Sequence, residues 1–458
     1  STNTNSAFLR SVNPATLELL GLTPISSEAE VKGKVEIARR TFGTWSTTSL
    51  TDRLAAVERF RKSLMARRSE VAELISREAG KPLLESLITE VFSVLETCSW
   101  LQKNAPKVLA PQSVSMNRLF FPFKKAYNVF DPLGVIAVIS PWNFPFSIPA
   151  ASVLCALVAG NTVVLKPSPK TPLSAKLLHQ MLLDAGFPPG AISLVQGDRD
   201  QARWLMQADI DRAVFTGSVA GGKAIMALAA EKLLPVTLEL GGKHPAIVLA
   251  DADVDRVAEA LVWCAFMNAG QACASIERLY VHNSIHDRLV ERMVQCTNRL
   301  RLGDPTQSGT DIGPLIDAAQ LERVNAMVQR AVEAGAVVAS GGRVRADIGT
   351  RLAAGLPGHF MEPTILTKLF HGHEIVREEI FGPVLPVVRF NSEEEVVALA
   401  NNCHLALGAS IWTSDKAHGE RLARRIRSGM VWINDGLYSH ACPDAPWGGL
   451  RMSGFGRT

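Results

Sequence analysis

Residues 134–166 read GVIAVISPWNFPFSIPAASVLCALVAGNTVVLK. Two apolar, β-branched runs, Val135 to Ile139 and Thr162 to Leu165, bracket an apolar stretch of helical length, and neither run alternates polar with apolar residues. Strands that are apolar on both faces are buried on both faces, the condition of a parallel strand in a sheet covered by helices. The unit is therefore read as strand, crossover helix, parallel strand. Working toward the C-terminus the pattern repeats. A helix from Pro172 to Ala185 precedes AISLVQG (191–197), a helix around Gln201 to Met206 precedes RAVFTGS (212–218), and a helix to Ala230 precedes PVTLEL (235–240) and AIVLA (246–250). This alternation predicts an α/β fold with a Rossmann-like, doubly wound parallel sheet. A second α/β stretch runs from about Asp251 to Asn434. Toward the N-terminus, apolar residues between Glu28 and Leu109 recur at helical spacing, as in Leu54, Val57, Phe60 and Leu64, so helices are expected there. Between Arg118 and Val129 the pattern changes to Leu119, Phe120, Phe121, Phe123, Tyr127 and Val129, predicting a short hairpin that protrudes between the helical and α/β regions.

The chain has 458 residues, 47% of them hydrophobic and 20% charged, which leaves room for two or three domains with sizeable cores and excludes a disordered chain. The net charge of +4 is scattered without a run of like sign, so no nucleic-acid or acidic-membrane footprint appears. Seven cysteines form no CxxC pair, unlike a zinc site or a disulfide framework, and a reducing compartment is expected, with no metal. The longest mostly apolar run, Ser147 to Gly160, falls short of the ~20 residues a membrane span needs. The polar opening STNTNS is no signal peptide, and a cytoplasmic location is expected. The sequence does not open on methionine, which leaves room for a preceding targeting segment.

Several residues could carry chemistry. Cys273 lies in the small-residue segment Asn268-Ala-Gly-Gln-Ala-Cys-Ala-Ser, where a substrate can approach a thiol. Most free cysteines are buried and inert, and Cys155, Cys264 and Cys296 in apolar helical patterns fit that description. Glu239 ends a strand and is followed by Gly241-Gly242-Lys243, so it points toward the crevice where such sheets bind ligands, or is a solvated strand-end acid. Asn143 in Pro141-Trp-Asn-Phe-Pro follows another strand and is either a fixed donor to an oxyanion or part of an Asx-turn. Gly217 and Gly222 bracket a strand-to-helix junction that suits a phosphate, although it is neither GxGxxG nor a Walker sequence. Lys166 and Glu379 are ambiguous singly.

Read together, PWNFP (141–145), LKPSP (165–169), FTGS (215–218), LELGGK (238–243), GQAC (270–273), EEIFGPV (378–384) and PWGGLRMSGFGR (446–457) resemble, in this order, the motifs of the NAD(P)-dependent, non-acylating aldehyde dehydrogenase superfamily. Asn-Pro-Ala-Thr (13–16) and Glu78-Ala-Gly-Lys-Pro extend the likeness over nearly the whole chain. The resemblance implies an NAD(P)-binding domain (1–113 and 133–241), a catalytic domain (242–440) and small oligomerisation or bridging segments (114–132 and 441–458). In that family a further strand usually follows the final Gly-Arg, whereas this sequence ends at Thr458. Carried over residue by residue, Cys273 is the nucleophile, Asn143 with the Cys273 backbone N–H holds the oxyanion, and Glu239 activates water. Lys166 is expected at the adenine-side ribose, Gly217 and Ser218 at the pyrophosphate, and Glu379 at the nicotinamide-side ribose. Phe381 packs on the nicotinamide, and Trp142, Ser168, Pro169, Gly222 and Leu240 complete the cofactor site. Pro169 stands where NAD-preferring relatives often carry a glutamate, so NADP is expected to serve at least comparably to NAD, unless the proline merely shapes the turn. Phe144, Ile148, Ala151, Met267, Ala272, Ala274 and Trp447 match the aldehyde tunnel, with the segment between Asn434 and Pro446 at its mouth. Ala151 supplies neither bulk nor charge, which favours medium- or long-chain or bulky apolar aldehydes. A homodimer or homotetramer is implied. The alternatives are a CoA-acylating relative, whose group lacks the glutamate that Glu239 matches, an inactive structural member of the fold, and a cysteine hydrolase without a redox step.

Overall fold

The computed structural model describes residues 7–344, 355–437 and 442–458. Its first sheet has six strands in the order Gly454–Phe455, Val236–Glu239, Arg212–Thr216, Val135–Ile139, Thr162–Lys166 and Ile192–Leu194. All neighbours are parallel except the short edge strand Gly454–Phe455, which runs antiparallel to Val236–Glu239. Alternate residues of the strand Val135–Ile139 feed different cores. Ile136 and Val138 pack with the N-terminal helices and the helix Ser147–Val158, whereas Val135, Ala137 and Ile139 pack toward Val31, Val35 and Leu205. That two-sided burial is the reason the run shows no polar alternation.

The chain order reverses between Val135–Ile139 and Arg212–Thr216, so the crevice of this sheet opens beyond the C-terminal ends of those two strands. Pairing of Ile139 with Lys166 and Phe215, and of Thr216 with Glu239, brings the strand ends into line there. The N-terminal region is helical as its periodicity predicts, with helices Glu28–Trp45, Leu50–Ala66, Arg68–Ala79 and Ser93–Val108. A capping box of Ser27 and Glu30 starts the first, and Gly80 at φ 76 ends the third.

A second sheet of seven strands runs in the order Val337–Ser340, Thr364–Leu369, Val384–Phe390, Ile276–His282, His244–Val248, Gly408–Trp412 and Met430–Ile433. It surrounds itself with the largest apolar core. AIVLA, which the sequence pattern strings onto the first alternation, is a strand of this second sheet. The aromatic stretch after Arg118 also differs from expectation. The hairpin strands are only Gln112–Val114 and Ala126–Asn128, and residues 118–120 and 122–123 form turns, because Asn117 Oδ1 accepts the Leu119 N–H and Pro122 has no N–H to donate to a ladder. Of the C-terminal segment that the resemblance grouped with this hairpin, Leu450–Arg451 pairs with Leu405–Ala406 and Gly454–Phe455 with the first sheet.

Candidate active site

The helix Val254–Phe266 runs into a 3-10 turn, Met267–Gly270, in which Asn268 (φ 52) and Ala269 (φ 54) adopt left-handed conformations. Such residues persist only where their surroundings hold them. Here the Asn268 N–H donates to Glu85 (2.7 Å), and its side-chain amide donates to the carbonyls of Asn143 and Gln271 (3.2 Å each). Gln271 is fixed in turn, its amide donating to the Asn268 carbonyl (3.0 Å) and its side-chain oxygen accepting the Ile316 N–H (2.9 Å). The turn delivers Cys273, half-buried, ahead of the strand Ile276–His282. The Asn143 side-chain amide donates to the Gln271 carbonyl at 3.0 Å, which sets one of its two N–H groups and places it two residues from the thiol. Gly242 closes the other side, since a Cβ there would lie 2.3 Å from the Cys273 carbonyl oxygen.

Burial pushes the Cys273 thiol up to about 12, and the nearby charges of Glu239 and Glu379 add to the shift. Burial likewise raises Glu239 to about 8, with Arg457 opposing. Neither oxygen of the Glu239 carboxyl finds a hydrogen-bond partner among the described residues, the setting of an acid and base rather than of a structural ion pair.

At the ends of the first sheet's strands, Ser218 caps the helix Val219–Ala230 by accepting the Gly221 N–H at 3.1 Å. A Cβ at Gly217 or Gly221 would meet the Phe215 ring at 2.8 or 2.7 Å, and one at Gly222 would meet Leu240 at 2.6 Å. The glycines therefore let the helix begin hard against the sheet with its amide donors toward the crevice. A cavity of about 390 Å³ adjoins it, lined by Gly222, Leu240, Val219, Leu238 and Phe455. Lys166 is buried, donates to the Pro167 carbonyl (2.9 Å), and is pushed down to about 8 by burial, with Asp198 opposing. Ser168 Oγ accepts the Lys170 N–H at 3.3 Å, and Pro169 beside it is half-buried. Trp142 and Phe381 meet edge to face, 5.5 Å between centroids, and the Lys170 ammonium lies 5.2 Å from the Trp142 ring centroid while pairing with Asp317 (2.5 Å). Phe381 (φ 53) is held because Glu277, itself bonded to Lys243 at 3.1 Å, accepts the Ile380 and Phe381 N–H groups at 2.7 Å each. The Glu379 carboxyl accepts the Gly242 N–H at 3.0 Å, and burial, then the charge of Glu277, raise it to about 8. The bare glycine junction and the buried ammonium fit a dinucleotide.

Phe144, Ile148, Met267 and Ala272 come together in one small apolar cluster, joined by Leu437. Leu437 belongs to the stretch expected at the tunnel mouth, of which residues 438–441 lie outside the described residues. Ala151 is half-buried three residues after Ile148 on the same helix. Ala274 is buried with its carbonyl on His244 (2.8 Å), and the ring of Trp447 packs near Trp432 at 6.3 Å; neither belongs to the cluster around Phe144. Sequence reasoning did not single out Glu85, Asn268, Gln271 or Glu277, which hold the site through bonds to backbone groups; only the motif GQAC hinted at one of them. Among the described residues no cluster of His, Cys, Asp or Glu could hold a metal, and no helix is long and apolar enough to cross a membrane.

The family model of the aldehyde dehydrogenase family matches residues 2–458. The chain is 36% identical over 449 residues to 4,4'-diapolycopene aldehyde oxidase of Methylomonas sp, covering 98% of this chain and 82% of that protein. It is 35% identical over 456 residues to the peroxisomal aminoaldehyde dehydrogenase 1 of Pisum sativum, covering 97% and 88%. Among solved structures, the NAD+ complex of an aldehyde dehydrogenase from Bacillus cereus matches with a TM-score of 0.92 at 33% identity, covering 98% of this chain and 89% of that one. An NADP-dependent enzyme of E. coli matches with a TM-score of 0.92 at 32% identity, covering 99% and 92%.

Proposed function

The chain belongs to the aldehyde dehydrogenase family, and from that premise we propose that it oxidises medium- to long-chain or bulky apolar aldehydes to carboxylic acids through a covalent intermediate on Cys273, with NADP or NAD. The observation that carries the reading is the meeting of Asn143, Cys273 and the partnerless carboxyl of Glu239 around one turn. The Cys273 thiol gives up its proton to water as its sulfur bonds to the aldehyde carbon, and the second N–H of the Asn143 amide, with the Cys273 backbone N–H, takes the oxyanion of the thiohemiacetal. A bound nicotinamide supplies the hydride acceptor. Loss of hydride leaves a thioester on Cys273. Glu239 then removes a proton from the water that adds to the thioester, the acid departs, and the thiol is restored. The presence of Glu239 speaks against transfer to CoA, and the filled nucleophile and oxyanion positions against an inactive member.

Gly217 and Ser218 at the helix start suit the pyrophosphate, Lys166 and Ser168 the adenine-side ribose, and Glu379 the nicotinamide-side ribose. A 2′-phosphate beside Lys166 would restore the charge that burial disfavours, and at Pro169 no carboxylate repels it, which supports use of NADP. The apolar floor of Phe144, Ile148, Met267 and Ala272, with Ala151 beside it, suits an apolar chain rather than a substrate carboxylate. A relative whose name specifies an aldehyde of diapolycopene supports an extended apolar substrate. The exposed aromatic hairpin supports assembly as a homodimer or homotetramer, and chemistry that runs on a free thiol suits the cytoplasm.

The test is formation of reduced nicotinamide, without CoA, over an aldehyde series with each cofactor. Each added methylene should improve kcat/KM by up to about fourfold until the tunnel is full, from ~0.8 kcal/mol per methylene buried. Ala151→Trp should depress octanal far more than acetaldehyde. Acetaldehyde, succinic semialdehyde, an aminoaldehyde or betaine aldehyde outperforming both octanal and benzaldehyde would overturn the substrate class.

A further inference from the structure

Three buried ionisable side chains, Lys81, Glu85 and Glu90, have no part in the reaction above. They sit on a short stretch that begins after the left-handed Gly80, with Glu85 on the helix Leu83–Ser86 and Glu90 on the π-helical turn Leu87–Phe92. A π turn is an uncommon element that recurs at functional sites. Lys81 Nζ meets Glu90 Oε1 at 2.5 Å and lies 3.7 Å from the centroid of the Phe144 ring. The other oxygen of Glu90 accepts the N–H of Ser147 (2.8 Å) and of Phe146 (3.2 Å), the start of the helix that follows Asn143. Glu85 accepts the Asn268 N–H at 2.7 Å, in the strained turn that leads to Cys273. The Asn268 side chain ties the two arms together through the carbonyls of Asn143 and Gln271.

Burying three ionisable groups is costly, and apolar residues of like volume often serve stability as well or better. Apolar residues could not accept these backbone N–H groups, which would be left buried without partners. Both acceptors bear on the two segments that carry the oxyanion donors, where a displacement of an ångström is enough to cost a large factor in rate.

We propose that Glu85 and Glu90 are positioning residues, a two-armed clamp braced by Lys81 that holds the Asn143 amide and the Cys273 N–H at the separation the oxyanion requires. The clamp rests on the assignment of Asn143 and Cys273 made under the proposed function. The Glu85 arm sets the thiol as well as its N–H, whereas the Glu90 arm sets only the Asn143 side.

Four variants separate these roles, measured on the full chain for kcat, KM of aldehyde and cofactor, and the rate of Cys273 alkylation by iodoacetamide. Glu85→Leu removes one acceptor and should lower kcat by about ten- to hundredfold and slow alkylation in step, with both KM values within about threefold. Glu85→Gln keeps an acceptor oxygen and should restore both within about threefold. Because Glu90→Leu alone would strand the Lys81 charge and endanger folding, the neutral double variant Lys81→Met/Glu90→Leu is the second probe. It should lower kcat by a similar factor while leaving alkylation unchanged, since that displacement builds no oxyanion. Cys273→Ala is the control. An inactive Cys273→Ala beside wild-type kcat in Glu85→Leu or in the double variant overturns the clamp alone, as does failure of Glu85→Gln to restore the rate. Retained activity in Cys273→Ala overturns both the clamp and the catalytic assignment beneath it.

Discussion

At Cys273 the thiol is held near 12 because burial denies its thiolate water and because Glu239 and Glu379 are close enough to repel the charge. Removing one of those charges should ease ionisation. Near neutral pH the raised Glu239 carboxyl still holds its proton, so Glu239→Gln is expected to be alkylated at Cys273 about as fast as the wild type there and faster only above about pH 8, while its deacylation slows by about a hundredfold or more, read as acyl-enzyme accumulation by mass spectrometry. Slower alkylation would mean that Glu239 ionises the thiol. Cys273→Ala should lose dehydrogenase and esterase turnover alike, and more than about a hundredth of wild-type rate would contradict covalent catalysis. The sign of the pH effect follows from Glu239, whose carboxyl is raised from 4.5 to about 8. Between those values the unfolded chain has lost this proton while the folded one keeps it, so the group's contribution to stability falls as pH rises through the window. Thermal melts should show Glu239→Gln gaining on the wild type from about pH 5 to about pH 8, while wild-type deacylation climbs toward the same upper limit as the base ionises.

Among the elements, the glycine junctions separate into those that a side chain would fill with backbone and those that are open. At Gly242 a Cβ would stand 2.3 Å from the Cys273 carbonyl oxygen, and neither backbone can yield without moving Cys273. Gly242→Ala should thus cost about a hundredfold or more in kcat and slow thiol alkylation. Gly33 and Gly43 lie in the helix Glu28–Trp45 with nothing within 4 Å of an added Cβ. Alanine there should instead stabilise by about 0.5–1 kcal/mol each, visible as a small rise in Tm with kcat unchanged. The loop after the strand Thr162–Lys166 carries the cofactor prediction. Pro169→Glu places a carboxylate beside Lys166 and Ser168, and the ratio of kcat/KM for NAD over NADP should rise by about tenfold or more, equivalent to about 1.4 kcal/mol. A kcat/KM for NADP already about a hundredfold below that for NAD in the wild type would refute the underlying preference.

At the scale of the molecule, the hairpin stands out because Leu119, Phe120 and Phe123 are 83%, 72% and 97% exposed within five residues of one another. Apolar side chains grouped this way mark a contact surface, and in the proposed assembly a second copy covers them. Phe120→Ser/Phe123→Ser should lower the mass seen by light scattering toward that of one chain, whereas an unchanged mass would remove the hairpin from the interface. The two sheets meet around the candidate site rather than apart from it. Lys170 from the loop after Thr162–Lys166 pairs with Asp317, and Gly242, which follows the first sheet, rests on Cys273, which precedes a strand of the second.

The strands Val135–Ile139 and Thr162–Lys166 and the helix Pro172–Asp184 were legible in the sequence because burial on two faces, or on one helical stripe, is written into adjacent residues. The motifs around Asn143, Glu239 and Cys273 were legible as a resemblance, which names residues without placing them. Tertiary structure alone decided that AIVLA joins the second sheet, that Trp447 packs on Trp432 and that Leu437 joins Phe144. It also decided the bond of Glu85 to Asn268, 183 residues away, and that of Glu90 to Phe146, 56 residues away. The physical reason is range. Strand and helix signals arise between neighbours, whereas a hydrogen-bond partner, a packing neighbour and the proton affinity of Glu239 depend on which distant segments exclude water from the same place, and that is settled only when the whole chain has folded.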